Sequence, residues 1–205
     1  MQAQGDQFTK HRRSNPDQER HCSKRSSPNS ILEARFPTLR VRFCLPFRSF
    51  TTERFGVPFW QYTLSASSAN TEALRLARVA TRRDRIVVFQ GAYHGHLDDT
   101  LVERTGATTV PGLLGTSAQV AQRTRVVPFN RPDALEAALA PGDVAAVITE
   151  PALTNVGVVQ PAPDFHAYMR AITQQMGTLL ILDETHTQMA AWGDSPVNLG
   201  WSLTW

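Results

Sequence analysis

The chain has 205 residues, of which 41% are hydrophobic, and a formal net charge of +3. That length and apolar content are enough to bury the core of one domain or of part of a larger one. The two cysteines, Cys22 and Cys44, form neither a CxxC pair nor a ligand cluster, which argues against a disulfide scaffold and a zinc knuckle. No apolar run approaches the ~20 residues of a membrane span, and the polar start lacks the apolar centre of a signal peptide. We therefore expect a cytoplasmic protein without a membrane partner.

The first 50 residues differ in composition from the rest of the chain. Residues 1–30 are polar and basic and follow neither the helical nor the strand period, which is typical of a segment that stays disordered. From Ile31 to Phe59 the pattern is ambiguous, with short apolar runs broken by prolines. A tail rich in Arg and Ser could bind nucleic acid or an organelle import receptor, but this one contains several acids and has no clear amphipathic face. We predict a disordered basic tail over residues 1–50 and no nucleic-acid partner.

From Ser65 onward, the sequence alternates helical and strand patterns. The predicted elements in chain order are a helix over 69–80, strands at 86–89 and 125–129, a short helix in PDALEAAL, a strand at 144–149, a helix over 165–176 that Gly177 ends, and a strand in TLLILD. The apolar face of the first helix is predicted to consist of Ala69, Ala73, Leu76, Ala77 and Ala80. Each strand is short and apolar on both faces, which favours central parallel strands covered by helices. The expected fold class is therefore α/β, with a mostly parallel sheet flanked by helices.

Polar residues follow three of these strands. QGAYHGHLDD follows the first, Glu150 follows VAAVIT, and Asp183, Glu184, Thr185 and His186 follow TLLIL. In open α/β sheets the ligand binds beyond the carboxyl ends of the strands, so we expect these residues to line a site. Contact with solvent would explain any one polar strand end, but three together favour a shared site.

The HGHLDD segment also suggests a different kind of site. His94, His96 and Asp98 resemble the HxHxDH metal signature of metallo-β-lactamase-like hydrolases, with an aspartate in place of the last histidine. Such a site needs further histidine ligands downstream, and only His166 and His186 are present. A metal-dependent hydrolase is therefore kept as an alternative, and so is a turn whose histidines are hydrogen-bonded and bind nothing.

Three segments, taken in order, carry a resemblance to a known family. They are FGVPFWQYTLSASSANTEALRLARVATRRDRIVVFQGAYHGHLDD, AAVITEPALTNVGVVQPAPDF and GTLLILDETHTQMAAWG. The sequence over residues 54–193 resembles the class III pyridoxal-phosphate aminotransferases, and within them the glutamate-1-semialdehyde aminomutase-like branch. The resemblance implies a partial large domain of the PLP-dependent transferase fold (fold type I, aspartate aminotransferase-like). It also implies pyridoxal 5'-phosphate as cofactor, a small-molecule amino donor and acceptor, and a homodimer, without separating a transaminase from an aminomutase.

The resemblance assigns roles to residues at the strand ends. Asp183 matches the aspartate that keeps the pyridine nitrogen of the cofactor protonated, and Thr185 would face the ring, where the family usually has a valine. Tyr93 matches the aromatic residue that stacks on the other face of the ring. His94 would support the site from behind, and Glu150 matches a glutamate near the cofactor and the substrate.

The phosphate group needs amide donors at a helix start, and SASS precedes the first predicted helix. Counting back from RLAR, the resemblance places phosphate binding on Ala66 and Ser67. Ala66 stands where the family has a glycine, so either this turn needs no positive φ or phosphate binding is weakened. An ordinary helix cap by Ser67 or Ser68 is the plain alternative and is compatible with phosphate binding.

The resemblance also implies a lysine that holds the cofactor as a Schiff base, but no lysine occurs after Lys24. In the family this lysine lies beyond the strand that carries Asp183. Residues 194–205 no longer follow the family pattern, so we expect a chain truncated before this lysine, with no catalytic residue of its own and no aminotransferase activity. The alternative interpretation is a non-catalytic remnant that binds pyridoxal phosphate without covalent capture.

Overall fold

A parallel sheet with helices on both faces organises the described part of the chain. The computed structural model describes Glu53, Phe55 and residues 59–188. Its elements in chain order are α1 (Ala66–Thr81), β1 (Arg85–Phe89), β2 (Val102–Thr105), β3 (Thr108–Pro111), α2 (Ala118–Ala121), β4 (Thr124–Val127), α3 (Pro132–Leu139), β5 (Val144–Thr149), α4 (Phe165–Gln175) and β6 (Leu179–Leu182). The tails predicted at 1–50 and 194–205 lie outside the described residues, so both remain predictions.

The main sheet contains four parallel strands in the order β4-β1-β5-β6. Every residue of β5 is buried, and so are the four residues from Ile86 to Phe89 in β1. Central parallel strands need apolar side chains on both faces, which VAAVIT and IVVF supply. The predicted parallel sheet flanked by helices is confirmed.

Alternate side chains of the strands pack into two separate cores. Val87 and Phe89 belong to the core that α3 and α4 cover. Ile86 and Val88 belong to the core that α1 covers. Because successive residues of a strand point to opposite faces, one short apolar run serves both helix layers.

The start of α1 differs from the prediction. The helix begins at Ala66 rather than Ala69, and its cap is Ser65, whose hydroxyl accepts a hydrogen bond from the backbone N–H of Ser68 at 3.1 Å. The predicted cap at Ser67 or Ser68 is therefore wrong. SASSAN contains no strong hydrophobic residue, so the apolar period could not locate the first turn, whereas the capping bond does.

The predicted apolar face of α1 is also wrong in part. Ala77 is buried as expected, but Ala69, Leu76 and Ala80 are exposed. The buried residues of this helix are Asn70, Leu74 and Ala77. Alanine is a weak indicator of the buried face because it is accepted on either side of a helix. Of the two leucines of α1, Leu74 is buried and Leu76 is exposed, so Leu74 marks the packed side.

Three elements between β1 and β4 were not among the predicted ones. β2 and β3 pair as an antiparallel hairpin over residues 102–111, and α2 is a short helix after it. The hairpin is largely exposed, so VERT and TTVP lack the apolar runs that identify the central strands.

β4 ends at Val127 rather than residue 129 because Pro128 has no N–H to donate to the sheet. No helix in the described ranges is long and apolar enough to cross a membrane.

Candidate functional site

Asp183 lies one residue beyond β6, at the carboxyl end of the sheet. Its backbone N–H donates to the carbonyl of Thr149 at 2.8 Å, so the parallel pairing with β5 continues through this residue. Its side chain is buried, with 6% of its surface exposed. Strand pairing therefore fixes a carboxylate at the edge where α/β proteins bind ligands.

Four hydrogen bonds meet the two carboxylate oxygens of Asp183. Oδ2 accepts from Asn70 Nδ2 at 2.8 Å and lies 2.9 Å from His94 Nδ1. Oδ1 accepts from the backbone N–H of Thr185 at 3.2 Å and from its hydroxyl at 2.5 Å. The donors come from α1, from the loop after β1 and from the turn after β6. The fold thus brings together three of the residues that the sequence singled out and adds Asn70.

The surroundings of Asp183 keep its carboxyl ionised. Burial alone raises the pKa of this group, but hydrogen bonds from His94 and Thr185, the charge of His94 and the bond from Asn70 together hold the pKa well below its ordinary value. A buried carboxylate in this state can accept a hydrogen bond from a protonated ring nitrogen of a ligand.

His94 supports Asp183 from the buried side. Its residue surface is 2% exposed, and Asn70 Nδ2 donates to its backbone carbonyl at 3.0 Å as well as to Asp183. Its Nε2 is buried and has no hydrogen-bond partner among the described residues. His94 therefore positions the Asp183 carboxylate through its Nδ1.

A second buried carboxylate, Glu150, follows β5 directly and is 3% exposed. Oε1 accepts from the backbone N–H of Tyr93 at 3.1 Å. Oε2 accepts from the backbone N–H of Thr154 at 3.0 Å and from its hydroxyl at 2.5 Å. His186 Nδ1 lies 2.5 Å from the same hydroxyl. Glu150 thus ties the loops after β1 and β5 together, while Tyr93 stays 41% exposed at the sheet edge.

The N-terminus of α1 lies against the loop after β1. Ser67 Oγ accepts from the backbone N–H of His96 at 3.0 Å. Gly95 has a φ of +92°, and a Cβ added there would lie 2.1 Å from Ser67 Oγ, so only glycine fits this approach. The N–H groups of Ala66 and Ser67 are in the first turn, where no helical carbonyl can accept from them, and an anion can.

Ala66 adopts a helical conformation, as the first residue of α1. Over the described ranges, positive φ at residues other than glycine occurs at Arg82, Asn130 and Asp164. The turn before α1 therefore needs no positive φ at Ala66, and the alanine causes no backbone strain there. Phosphate binding by Ala66 and Ser67 stays a prediction.

The HGHLDD segment does not gather metal ligands. His94 is buried against Asp183, whereas His96 and Asp98 are exposed. Asp99 accepts two hydrogen bonds from Arg78, both at 3.0 Å. In the part of the chain that the structure describes, no group of three or more His, Cys, Asp or Glu side chains could hold a metal ion. The metal-hydrolase alternative gains no support from this geometry.

Two residues of the site, Asn70 and Thr154, are not predicted from the sequence patterns. Asn70 lies in line with Leu74 and Ala77 on the buried face of α1. A polar residue within an apolar stripe needs a buried partner, and this signal could have identified it. Thr154, in ALTN, follows a strand end without any periodic context, so no comparable signal was present.

A shallow pocket of about 370 Å³ lies between the outer face of α1 and the loop after β1. Its lining residues are Thr71, Arg75, Arg78, His96, Leu97, Asp98 and Asp99. None of the predicted cofactor-binding residues lines it, and Arg78 and Asp99 are paired with each other. We therefore place the candidate site at the strand ends and not in this pocket.

Comparison with known proteins identifies the family. The family model for aminotransferase class-III matches residues 40–195, which is more than half of the chain. The chain belongs to the class-III aminotransferase family. The family predicted from the sequence is thereby confirmed.

Similar proteins place this class-III chain near one branch. The "Glutamate-1-semialdehyde 2,1-aminomutase" of Sorangium cellulosum is 44% identical over 154 residues, which are 73% of this chain and 35% of that protein. That of Roseiflexus castenholzii is 41% identical over 145 residues, covering 68% and 33%. A crystal structure of a glutamate-1-semialdehyde-aminomutase from Pseudomonas aeruginosa PAO1 in complex with PMP is 45% identical, has a TM-score of 0.75, and is matched over 78% of this chain and 36% of that one. The chain spans about a third of the length of these relatives, and its resemblance to their branch and fold is confirmed.

Replacing Asp183 with Asn tests whether the buried carboxyl is ionised. Because its pKa is lowered in the folded chain, the ionised group stabilises the fold above the ordinary pKa of about 4, and this contribution is lost as pH falls towards the lowered value. We expect the free energy of unfolding of the parent to exceed that of D183N by about 2 kcal/mol near pH 6, the scale of a hydrogen bond to a charged group. Urea unfolding from about pH 7 to about pH 3 measures this difference, which should shrink below about pH 4. A difference that stays constant across the range contradicts the ionised state.

Replacing Gly95 with Ala tests the close approach of α1 to the loop after β1. Gly115 is a matched control, since its φ of +90° is nearly the same and a Cβ added there meets nothing within 4 Å. Both variants carry the strain of a left-handed residue, about 1 kcal/mol, but G95A also forces Ser67 away at a further cost of about 1–3 kcal/mol. Urea unfolding of both variants gives the comparison. Equal losses in G95A and G115A would show that Ser67 does not press on this glycine.

Proposed function

We propose that residues 59–188 form the pyridoxal-phosphate-binding part of a class-III aminotransferase or aminomutase. The observation that carries the proposal is the buried, ionised Asp183 at the carboxyl end of the sheet, close to the free N–H groups that begin α1. Asn70 links the two places, because it lies in the second turn of α1 and donates to Asp183 Oδ2. These two groups match the two ends of pyridoxal phosphate. The carboxylate matches the protonated ring nitrogen, and the N–H groups match the phosphate.

The residues of the site fit this cofactor. Asp183 would hold the ring nitrogen in its protonated form, and the N–H groups of Ala66 and Ser67 would hold the phosphate. Tyr93 is exposed beside Glu150, where its ring can cover one face of a bound aromatic ring, and Thr185 follows Asp183 on the exposed side. When bound, pyridoxal phosphate supplies an electron sink for the carbon that carries the amino group of the substrate.

The protein groups at this site act by position and charge. His94 and Asn70 fix the orientation of the Asp183 carboxylate, because each is buried and donates to Oδ2. Glu150 holds the backbone of Tyr93 in place and so fixes the position of the Tyr93 ring beside the site. A site prearranged in this way spends little free energy on ordering its residues when a ligand binds.

The names of the relatives support a substrate that is a small amino compound. Two similar proteins are named glutamate-1-semialdehyde 2,1-aminomutase, so we propose an amino-group transfer or shift of this kind for the whole protein. The homodimer and the cytoplasmic location expected from the sequence remain predictions.

We further propose that this 205-residue chain does not turn over an amino donor when it acts alone. The region that matches the family contains no lysine, since the two lysines of the chain, Lys10 and Lys24, precede it. Without a lysine in that region to bond the cofactor and carry the proton, the remaining groups bind and orient but do not complete the reaction.

Binding of pyridoxamine 5'-phosphate to the purified chain tests the proposal. This probe carries an amine and does not form a covalent bond with lysine, so its fluorescence titration reports the non-covalent site alone. We expect saturable binding that weakens by about tenfold or more in D183A, the scale of one hydrogen bond to a charged group. D133A is the matched control, because Asp133 is an exposed aspartate on α3 and its removal leaves the site intact.

Two results would overturn the proposal. One is the absence of saturable binding by a chain that unfolds cooperatively in urea, which would show a folded segment without the site. The other is an equal loss of affinity in D183A and D133A, which would show that the probe does not use the buried carboxylate. In the same samples, steady conversion of an added amino donor and keto acceptor would contradict the proposed inactivity of the chain alone.

A further inference from the structure

The hydrogen-bonding capacity of Asp183 is already filled by the protein. A carboxylate has about four acceptor positions on its two oxygens. Four donors occupy them here, namely Asn70 Nδ2 and His94 Nδ1 on Oδ2, and the backbone N–H and hydroxyl of Thr185 on Oδ1. A ligand that approaches this carboxylate with a donor nitrogen must therefore displace one of these bonds.

The donors on Oδ2 are held too firmly to leave. Asn70 is 6% exposed and is also bonded to the backbone carbonyl of His94 at 3.0 Å. His94 is 2% exposed, and loss of its contact with Asp183 would leave both ring nitrogens buried without a partner among the described residues. Removing either donor from Oδ2 leaves a buried polar group without a hydrogen-bond partner. That loss costs more free energy than the bond that a ligand would gain.

The donors on Oδ1 differ from each other. The backbone N–H of Thr185 is fixed by the turn after β6. The hydroxyl of Thr185 belongs to an exposed residue and can leave by rotation about a single side-chain bond. After that rotation the hydroxyl can form a hydrogen bond with water, so no polar group is left without a partner.

We propose that the Thr185 hydroxyl is a displaceable stand-in for the cofactor's ring nitrogen on Asp183 Oδ1, and that it sets how tightly the site binds the cofactor. In the free chain it donates to Oδ1, the oxygen whose partners both belong to the exposed Thr185. On binding, the ring nitrogen takes this oxygen and the hydroxyl turns away. The inference rests on the proposed cofactor site and adds a positioning residue to it.

The stand-in has a cost and a benefit. Every binding event must first break a hydrogen bond of 2.5 Å, so the affinity is lower than it would be with an apolar residue of the same shape. In the free chain, the same bond keeps Asp183 ionised and oriented, because the hydrogen bond from Thr185 lowers the pKa of that carboxyl. The Thr185 hydroxyl thus lowers the affinity for the cofactor, but it keeps the Asp183 carboxylate ionised and oriented before the cofactor binds.

The test compares three variants by fluorescence titration with pyridoxamine 5'-phosphate. T185V keeps the branched shape and T185A removes it, but both lack the hydroxyl, whereas T185S keeps the hydroxyl. We expect the dissociation constant to fall by about three- to tenfold in T185V and to fall in the same direction in T185A, the range of one hydrogen bond. T185S should stay within about twofold of the parent, because it retains the competing donor.

A second probe shows whether the gain depends on the ring nitrogen. In the carbocyclic analogue of pyridoxamine phosphate, a CH group replaces that nitrogen and makes no hydrogen bond to Asp183. Removal of the hydroxyl should leave the affinity for this analogue unchanged, because nothing competes for Oδ1. An equal gain for both probes would overturn the proposal, since it would show that valine merely improves contact with the ring.

A measurement on the free chain adds a readout that does not depend on binding. The carbon NMR signal of the Asp183 carboxyl reports its titration, and the pKa should be higher in T185V than in the parent, with T185S restoring the parent value. An unchanged titration in T185V would show that the hydroxyl does not bond to Oδ1 and would overturn the proposal.

The outcomes separate this inference from the function on which it rests. Failure of the parent to bind pyridoxamine phosphate overturns the cofactor site and the role of Thr185 with it. Binding that depends on Asp183 but is equal or weaker in T185V and T185A overturns the role of Thr185 alone and leaves the cofactor site in place. Tighter binding in both variants, confined to the probe with a ring nitrogen, supports the stand-in.

Discussion

The candidate site depends on the hydrogen bonds that keep the buried carboxylate of Asp183 ionised. Burying a charge costs free energy unless hydrogen bonds and opposite charge replace the lost water. Here the replacement comes from Asn70 on α1, His94 in the loop after β1 and Thr185 in the turn after β6. Because Asn70 and His94 are far from Asp183 in sequence, the carboxylate is stable only where the whole fold brings these donors to it. The same contacts also fix the orientation of the carboxylate.

The sheet explains why the charge lies where it does. β1, β5 and β6 are neighbours and run in the same direction, so their carboxyl ends meet at one edge. The backbone of Asp183 continues the pairing with β5, which holds the carboxylate with the rigidity of a strand rather than of a loop. Glu150 ends the adjacent strand and binds the backbone of Tyr93. Two buried carboxylates therefore arrange the loops that surround the site, one from each strand end.

Much of the fold follows from local sequence. VAAVIT and IVVF predict central parallel strands because both faces are apolar, and the cores on either side of the sheet use alternate residues of these runs. The exposed hairpin of β2 and β3 carries no such signal, because its side chains meet solvent. The first turn of α1 was misplaced for a similar reason, since SASS begins the helix through the capping bond of Ser65 rather than through an apolar period.

The candidate site was partly predictable. The sequence singles out Asp183, Glu150 and His94 because they are polar residues that follow apolar, buried strands. That reasoning does not reach Asn70, whose role depends on a contact between residues more than 100 positions apart. The pairing of Thr185 with Asp183 is likewise a property of the folded turn. Sequence patterns show which residues are unusual, while the donor that each acceptor receives is decided by tertiary structure.

A crystal structure of the chain grown with pyridoxamine 5'-phosphate would show directly whether Asp183 and the start of α1 hold the two ends of the cofactor. We predict the ring nitrogen within hydrogen-bonding distance of the Asp183 carboxylate and the phosphate at the N–H groups of Ala66 and Ser67. Density for the ligand at another place, with Asp183 still bonded to its four protein donors, would contradict this prediction.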